Sequence, residues 1–317
     1  MIFRKLTSGW RVLRGEAGIA QFSRRFRRNL REIRLKMSAG KVIYWHRLGT
    51  DFVRDRDDPE LCNHYLDQDH DLSEAAILRA WVERDDHVID CGANVGLFSS
   101  LLSRMVGPSG RVLAVEASPQ TYNCLVRNLN ALELDNVITV HACACEESRI
   151  VQFDVSSSEP VRHAIARPSE NRKREQLVDV SGVQLDALLA RSNLKTPSLI
   201  KVDIEGAEPL ALKGARSLLA SDNLPLVIVE VYPSGLNRLG FTPADVLAWF
   251  PVEEFELWHI NFSWPNTSPE IPRDVPLPLI EPNAHHWPLA TNLIAIPRAG
   301  AFASRRRKLS KILRATR

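Results

Sequence analysis

The sequence predicts an α/β fold with a mostly parallel β-sheet and helices on both of its faces. Short apolar segments, bounded by glycine, proline or polar residues, alternate with longer segments of helical periodicity through most of the chain. This alternation is typical of a parallel sheet whose strands are buried on both faces. The chain has 317 residues, of which 44% are hydrophobic, and this is enough to bury one sizeable core.

Seven strands and six helices follow from this pattern. The strands are predicted near 86–90, 111–116, 137–141, 199–203, 226–231, 254–259 and 292–297. The helices are predicted near 73–83, 95–106, 119–132, 183–191, 208–220 and 242–250, and Ser73 is the expected N-cap of the first. Prolines and charges interrupt the alternation at residues 150–180, which we interpret as a hairpin or flap. Residues 261–290, rich in Pro, Asn, His and Trp, are predicted to form a long loop.

Composition and charge divide the chain into four segments. A basic amphipathic extension (1–40) and a helical or cap segment (41–84) precede the α/β domain (85–298), and a basic C-terminal segment (299–317) follows it. Residues 1–36 carry a net charge of +9 and residues 298–317 carry +8, which leaves −14 for the body between them. An acidic body argues against a nucleic-acid enzyme, whose catalytic face should itself be basic.

The N-terminal extension has one apolar helical face surrounded by arginines. That face consists of Phe22, Phe26, Leu30, Ile33 and Met37. A basic amphipathic helix of this kind can lie on an anionic membrane surface, although it can also pack on the body or form a disordered tail. The chain has no run of 18 apolar residues, its N-terminus lacks the apolar core of a signal peptide, and its five scattered cysteines indicate reduced thiols. We therefore expect a cytoplasmic protein, with peripheral contact at the inner membrane surface as an open alternative.

Two strand ends predict a site for a cofactor that contains adenosine. The strand Val88-Ile89-Asp90 runs into a turn with Gly92 and Gly96, and the next predicted strand ends in Glu116, 20 residues after Gly96. Glycine lets the backbone approach a ligand closely, and an acid at this spacing can accept hydrogen bonds from a ribose diol. Asp90 would repel a pyrophosphate but suits the cationic amino-acid end of S-adenosylmethionine. The alternative is a buried turn that needs glycine only for tight packing.

An acidic turn follows the fourth predicted strand of the domain. The segment Leu199-Ile200-Lys201-Val202 continues into Asp203, Glu205 and Glu208 before a predicted helix. Ligands of open α/β sheets bind outside the carboxyl ends of the strands, so Asp203 and Glu205 would lie beside the reacting end of the cofactor. The alternative is a surface turn in which a helix N-terminus favours Glu208. Glu230, which closes the next predicted strand, would face the same cleft.

These motifs resemble those of the FkbM-type methyltransferases. The resemblance covers about residues 85–297 and rests on V-I-D-C-G-A-N-V-G, V-E-A-S-P, the more specific L-I-K-V-D-I-E-G-A-E, and Thr291-Asn292-Leu293. It implies a class I, Rossmann-like methyltransferase fold with a seven-stranded sheet, S-adenosylmethionine as cofactor, and O-methylation of hydroxyls on sugars or polyketides. It further implies Asp90, Gly92, Asn94 and Gly96 at the methionine end, Glu116 at the ribose, Ala142 and Cys143 near the adenine, and Asp203 and Glu205 in the catalytic cleft.

Several alternatives remain open at this point. Asp203 or Glu205 could be the general base for an alcohol, with His163, His285 and His286 as other candidates, and both carboxylates could bind Mg²⁺, although no third ligand is evident. An N-methyltransferase would often carry an Asn/Asp-Pro-Pro-aromatic motif where this chain has Asp203 to Gly206. A nicotinamide oxidoreductase would need a further glycine, and a non-catalytic, membrane-bound cofactor module would keep the fold without turnover. We expect a small-molecule or glycan acceptor and no nucleic acid; the sequence leaves the oligomeric state open.

Overall fold

The computed structural model describes residues 42–46, 50–54, 72–155, 164–166, 177–261, 276–278 and 291–315. The predicted basic helix with its apolar face and the three histidines His163, His285 and His286 lie outside the described residues.

The described chain begins with a hairpin and a helix, and strands and helices then alternate. The hairpin consists of β1 (Val42–His46) and β2 (Thr50–Arg54) and is followed by helix α1 (Leu72–Trp81). The next elements are β3 (His87–Cys91), α2 (Leu97–Val106), β4 (Arg111–Glu116), α3 (Pro119–Ala131), β5 (Val137–His141), β6 (Cys143–Ala144), β7 (Arg149–Asp154), β8 (Ala164–Ile165) and β9 (Leu177–Val183). They are followed by α4 (Leu185–Arg191), β10 (Leu199–Val202), α5 (Glu208–Lys213), α6 (Arg216–Leu219), β11 (Leu226–Val231), α7 (Pro233–Arg238), α8 (Pro243–Leu247), β12 (Phe255–Asn261), β13 (Pro276–Pro278), β14 (Thr291–Pro297), a 3-10 turn (Ala303–Arg305) and α9 (Arg306–Ala315).

The main sheet confirms the predicted mostly parallel arrangement. Its strand order is β13-β12-β14-β11-β10-β3-β4-β5. The five strands from β11 to β5 are mutually parallel, and β14 runs antiparallel between β11 and β12. All seven predicted strands are present, and the three-residue β13 adds a short eighth strand at one edge. The carboxyl ends of β3, β4, β10 and β11 therefore meet at one edge of the sheet.

Apolar residues cover both faces of this sheet. One face packs against α1, α2 and α9 and includes Trp81, Leu102 and Ile228. The other face packs against the helices between β9 and β12 and includes Leu212, Val229 and Phe250. Strands covered on both sides must be apolar along their whole length, so a charged residue inside one of them requires a partner.

The interrupting segment after β5 forms a second, smaller sheet. Strands β7 and β9 pair antiparallel, in agreement with the predicted hairpin, and β8 and β6 extend this pair in the order β6-β9-β7-β8. The small sheet has its own apolar cluster, to which Val151, Phe153 and Val180 contribute.

The basic C-terminal segment is part of the fold. Helix α9 packs on α1, and the two apolar side chains Leu309 and Leu313 are fully buried. Both terminal nitrogens of Arg305 bind the Asp86 carboxylate, so the segment is held by charge as well as by apolar contact. The boundary predicted at residue 298 therefore does not separate this segment from the domain. No helix among the described residues is long and apolar enough to span a bilayer.

Candidate active site

The turn that follows β3 and the turn that follows β10 touch at the carboxyl edge of the sheet. The Asp203 N–H donates to the Cys91 carbonyl over 3.0 Å, and in the register of these strands Lys201 lies beside Asp90. Gly92 has a φ of +84°, and a Cβ on it would lie 1.8 Å from the Asp203 carbonyl oxygen. Only glycine allows this approach, so Gly92 joins the predicted cofactor turn to the acidic turn.

Glu116 is held by backbone donors at the end of β4. Its Oε1 accepts the Ser118 N–H at 2.8 Å, and its Oε2 accepts the Asn94 N–H at 2.9 Å. Burial raises the pKa of Glu116 to about 7, against the opposing effect of its backbone N–H donors. Each carboxyl oxygen has a further lone pair, so Glu116 can accept hydroxyl groups while these two bonds fix its position.

Two buried oxygen atoms near the glycine turn have no hydrogen-bond partner among the described residues. They are Oδ1 of Asp90 and Oδ1 of Asn94. The other Asp90 oxygen accepts the Ser99 hydroxyl at 2.6 Å, and the residue is 1% exposed. Burial raises the pKa of Asp90, while Lys201 and Ser99 oppose the rise. Unsatisfied buried acceptors are uncommon and indicate that a donor group is missing here.

The predicted adenine segment adjoins Glu116. The Ala142 N–H donates to the Glu116 carbonyl at 3.0 Å, and both Ala142 and Cys143 are buried. Burial raises the pKa of the Cys143 thiol to about 12, so the thiol stays protonated and is a poor nucleophile. Ala142 and Cys143 thus present apolar surface and backbone groups.

Lys201, to which the sequence assigned no separate role, is buried beneath the acidic turn. Its Nζ lies 2.8 Å from Oδ2 of Asp203 and 3.9 Å from Oε1 of Glu74, and 4.9 Å from the centroid of the Phe98 ring. Burial lowers the pKa of Lys201, but the carboxylates of Asp203 and Glu74 outweigh this and raise it above its ordinary value. Lys201 therefore remains a cation. The sequence contained one signal for its ion pair with Asp203, because a lysine within an otherwise apolar strand requires a partner of opposite charge.

Two further residues, Glu74 and Asn292, hold the other end of this network; the sequence did not indicate Glu74, and it gave Asn292 only as part of a motif without a role in the site. Glu74 comes from α1, and its Oε2 accepts the side-chain amide of Asn292, from β14, at 2.7 Å. Both residues are almost fully buried, with exposures of 2% and 5%. No local pattern links residues so far apart in the chain, so only the fold reveals that they belong to the site.

Glu208 stabilises the acidic turn by accepting hydrogen bonds from the backbone of the turn. Its Oε1 accepts the N–H groups of Ile204 at 3.0 Å and Gly206 at 3.1 Å, and the residue is fully buried. Burial raises the pKa of Glu208 to about 7, against the effect of these backbone donors. The Glu205 backbone has a φ of 57°, which is unusual for a residue with a side chain, and Arg238 donates to its carbonyl at 2.9 Å. Backbone strain of this kind costs about 1–3 kcal/mol and often occurs at functional sites.

The structure brings most of the predicted site residues together at one edge of the sheet. Gly92, Glu116 and Asp203 end or follow three adjacent strands, and the Asp203 side chain is 39% exposed. Gly96 lies at the N-terminus of α2, has a φ of +91° and packs against Leu125 of α3. Within the described part of the chain, no three His, Cys, Asp or Glu side chains are grouped so that they could hold a metal ion.

Comparisons with known proteins agree with this arrangement. Residues 90–257, more than half of the chain, match the model of the methyltransferase FkbM domain. Methyltransferase 1 of Beauveria bassiana is 31% identical over 151 residues, which cover 41% of this chain and 58% of that protein. The hexuronic acid methyltransferase AglP of Haloferax volcanii is 28% identical over 164 residues, which cover 52% of this chain and 61% of that protein.

The chain thus spans about three fifths of the length of these two curated relatives. Among solved structures, the FkbM methyltransferase of Methylobacillus flagellatus KT is 19% identical, with a TM-score of 0.42 over 67% of this chain and 44% of that one. On the domain match, the chain belongs to the family of FkbM methyltransferase domains, which depend on S-adenosylmethionine.

Proposed function

We propose that this protein transfers a methyl group from S-adenosylmethionine to a hydroxyl group of a sugar, a glycolipid or another secondary metabolite. The observation that carries the proposal is Asp203: its carboxylate is partly exposed and paired with the buried Lys201, and its backbone carbonyl lies directly against the glycine turn. A relative named as a hexuronic acid methyltransferase supports an acceptor related to sugars. An N-methyltransferase and a non-catalytic cofactor module are the alternatives.

The residues at the glycine turn fit S-adenosylmethionine. The unpartnered oxygens of Asp90 and Asn94 suit its amino group, and the close packing of Gly92 against Asp203 and of Gly96 against Leu125 fixes the turn that carries them. Glu116 has free lone pairs for the ribose hydroxyls, and Ala142 with Cys143 offers an apolar wall for the adenine. When bound, S-adenosylmethionine supplies an electrophilic methyl group.

The acidic turn would act on the acceptor. Asp203, which accepts a hydrogen bond from the Lys201 ammonium, would accept the hydrogen bond of an acceptor hydroxyl and then its proton. Glu205, two residues further along the turn, would orient the same hydroxyl or take its proton. Orientation of the reacting groups accounts for up to about 7–11 kcal/mol of barrier lowering, and a general base for about 10²–10⁴ in rate.

The test is methyl transfer into a cell extract. Purified protein, S-adenosylmethionine with a ¹³C methyl group and a metabolite extract of the source cells are incubated together, and mass spectrometry seeks species that gain one labelled methyl group. The ¹³C chemical shift then distinguishes an O-methyl from an N-methyl product. Labelled nitrogen would favour the N-methyltransferase. Donor binding in calorimetry without transfer to any extract would favour the non-catalytic module.

We further propose that residues 20–37, with their apolar face surrounded by arginines, bring the protein to an anionic membrane. The apolar face of α9 is buried against α1, so this helix cannot insert into lipid without leaving the domain. Each Lys or Arg near an anionic surface contributes about 1 kcal/mol, and residues 1–36 hold 11 of them. Vesicles that contain phosphatidylserine should co-sediment the full chain at low salt but leave the chain without residues 1–37 in the supernatant. Equal recovery of both proteins would contradict the proposal.

A further inference from the structure

We propose that Glu230 binds the acceptor through a second hydroxyl group, next to the one that is methylated. This inference rests on the proposed function and deepens it, because it makes the acceptor a polyol whose neighbouring hydroxyl is recognised. Three observations carry it: the place of Glu230 on the sheet, a buried oxygen without a partner, and the surrounding charges.

Glu230 lies at the same edge of the sheet as Asp203. In the register of the parallel strands β10 and β11, Val202 pairs with Val229, so the residues that follow them, Asp203 and Glu230, are level with each other. On its other side, Glu230 pairs with Asn292 of β14. This position lies between the acidic turn and β14, at the carboxyl edge of the sheet. Ligands of open α/β sheets bind at this edge, so an acceptor next to Asp203 would lie close to Glu230.

One oxygen of Glu230 has no hydrogen-bond partner. Oε2 is buried and accepts no hydrogen bond from the described residues. The Lys201 ammonium donates to Asp203 at 2.8 Å and the Asn292 amide donates to Glu74 at 2.7 Å, and neither donates to Oε2 of Glu230. A buried acid without a donor destabilises the folded protein, so its presence at a cleft indicates that a ligand supplies the missing partner.

The neighbouring charges keep a proton on this acid. Burial raises the pKa of Glu230 well above its ordinary value, the carboxylates of Asp203, Glu205 and Glu208 raise it further, and Lys201 opposes them. A protonated carboxyl group donates one hydrogen bond through its O–H and accepts others. That combination complements a hydroxyl group, which also donates and accepts, and it separates the role of Glu230 from that of Asp203, which is paired with Lys201.

The experiment compares two buried acids that differ in their partners. Both acids have an Oε2 without a donor, but Oε1 of Glu208 accepts two backbone N–H groups, and Glu208→Met would remove these bonds. We expect Glu230→Met to raise the Tm of the full chain by about 2–4 °C and Glu208→Met to lower it. In transfer assays, the apparent KM from serial dilution of one metabolite extract should rise about tenfold or more for Glu230→Met. The Kd of S-adenosylmethionine in calorimetry should not change, and Glu230→Gln should restore most of the acceptor binding.

A readout without turnover separates this inference from the proposed function. In the presence of S-adenosylhomocysteine, the metabolite extract should raise the Tm of the wild-type protein but not that of Glu230→Met. If the extract stabilises only the wild type and no methyl group is transferred, the proposed function fails while ligand binding by Glu230 stands. A fall in Tm for Glu230→Met would show that the acid is satisfied within the fold and would overturn the inference. An unchanged KM, or equal stabilisation of both proteins by the extract, would overturn it as well.

Discussion

The proposed donor half and the proposed acceptor half of this site, called the donor half and the acceptor half below, are built in different ways. The donor half, formed by the turn after β3 and the end of β4, fixes Glu116 through the backbone N–H groups of Asn94 and Ser118. The acceptor half, formed by the turn after β10 and the end of β11, depends on the ion pair of Lys201 with Asp203 and contains the incompletely bonded Glu230. One half is rigid through its backbone, and the other depends on side-chain charges.

The difference has a structural origin in sequence separation. Glu116 is 22 residues from Asn94 and 2 from Ser118, so one βα unit contains the donor half. The network behind Asp203 includes the bond from Asn292 to Glu74, which are 218 residues apart. A donor site of this kind can therefore be carried by a short motif, whereas the acceptor site requires α1 and β14 to be in place.

The largest expected effect separates the two halves by function. Asp203→Asn and Glu205→Gln should each lower kcat for methyl transfer by about 10²–10⁴, because they remove a proton acceptor or an orienting group. Neither should change the Kd of S-adenosylmethionine by more than about twofold, since neither side chain is proposed to contact the donor. Calorimetry and label transfer on the same preparations measure both quantities. Asp179→Asn, an exposed acid on β9, is the control. Full turnover in both site variants would mean that the acidic turn is structural.

The second prediction concerns the contact between the two halves at Gly92. Gly92→Ala places a Cβ 1.8 Å from the Asp203 carbonyl oxygen, so the two turns must move apart. We expect losses in donor binding and in transfer together, and a loss of folding stability of about 3 kcal/mol or more. Gly240→Ala is a matched control, because Gly240 has a φ of +85° and a Cβ added to it would meet nothing within 4 Å. Gly240→Ala should lower the folding stability only by the cost of a left-handed backbone conformation for alanine, about 1–2 kcal/mol. Equal losses in the two variants would mean that the contact itself has no role.

Most of the fold followed from the sequence because its signals are local. Strands buried on both faces appear as apolar runs, and all seven were located within one or two residues at most ends. The helix predicted over 208–220 is divided into α5 and α6 near Gly214, where a Cβ would lie 2.1 Å from the carbonyl oxygen of Cys145, the residue after β6. Such a contact between distant segments has no signature in the local pattern.

The site was predicted in part for the same reason. Gly92 and Glu116 depend on turns and strand ends that the sequence displays, and the structure places both at the predicted edge. The role of Glu208 as the internal support of the turn was not predicted, because it depends on the direction of one side chain. The packing of α9 was likewise not predicted. The segment is basic and has only two leucines that become buried, so without knowledge of its partner helix α1 the sequence favours a solvent-exposed tail.

The third prediction tests the donor half alone. Glu116→Gln keeps the shape of the side chain but replaces a charged acceptor for the ribose hydroxyls, so the Kd of S-adenosylmethionine should rise by about 10–100-fold. Because the pKa of Glu116 is about 7, donor binding by the wild type should weaken as the pH falls from 8 to 6. The variant should lose this pH dependence, and Glu205→Gln should retain it. Calorimetry at three pH values measures the effect, and an identical pH dependence in both variants would place the titrating group elsewhere.

The smallest expected effect concerns the support of the acceptor half. The pKa of Glu208 rises from an ordinary value of 4.5 to about 7 on folding, so its contribution to stability is present below pH 4.5 and is lost as the pH rises through 7. The wild type should therefore lose Tm between pH 5 and pH 8. Glu208→Gln mimics the protonated acid at every pH and should make this fall smaller by about 2–4 °C.

Glu256→Gln is the matched control for that measurement. Hydrogen bonds from Arg306 and Trp258 outweigh burial and lower the pKa of Glu256, so its contribution to stability is lost only in more acidic solution. Its removal should leave the change in Tm between pH 5 and pH 8 as it is in the wild type. If Glu208→Gln and Glu256→Gln changed the slope equally, the fall would belong to the charge of the whole protein, and the acceptor half would have no special dependence on its buried acid.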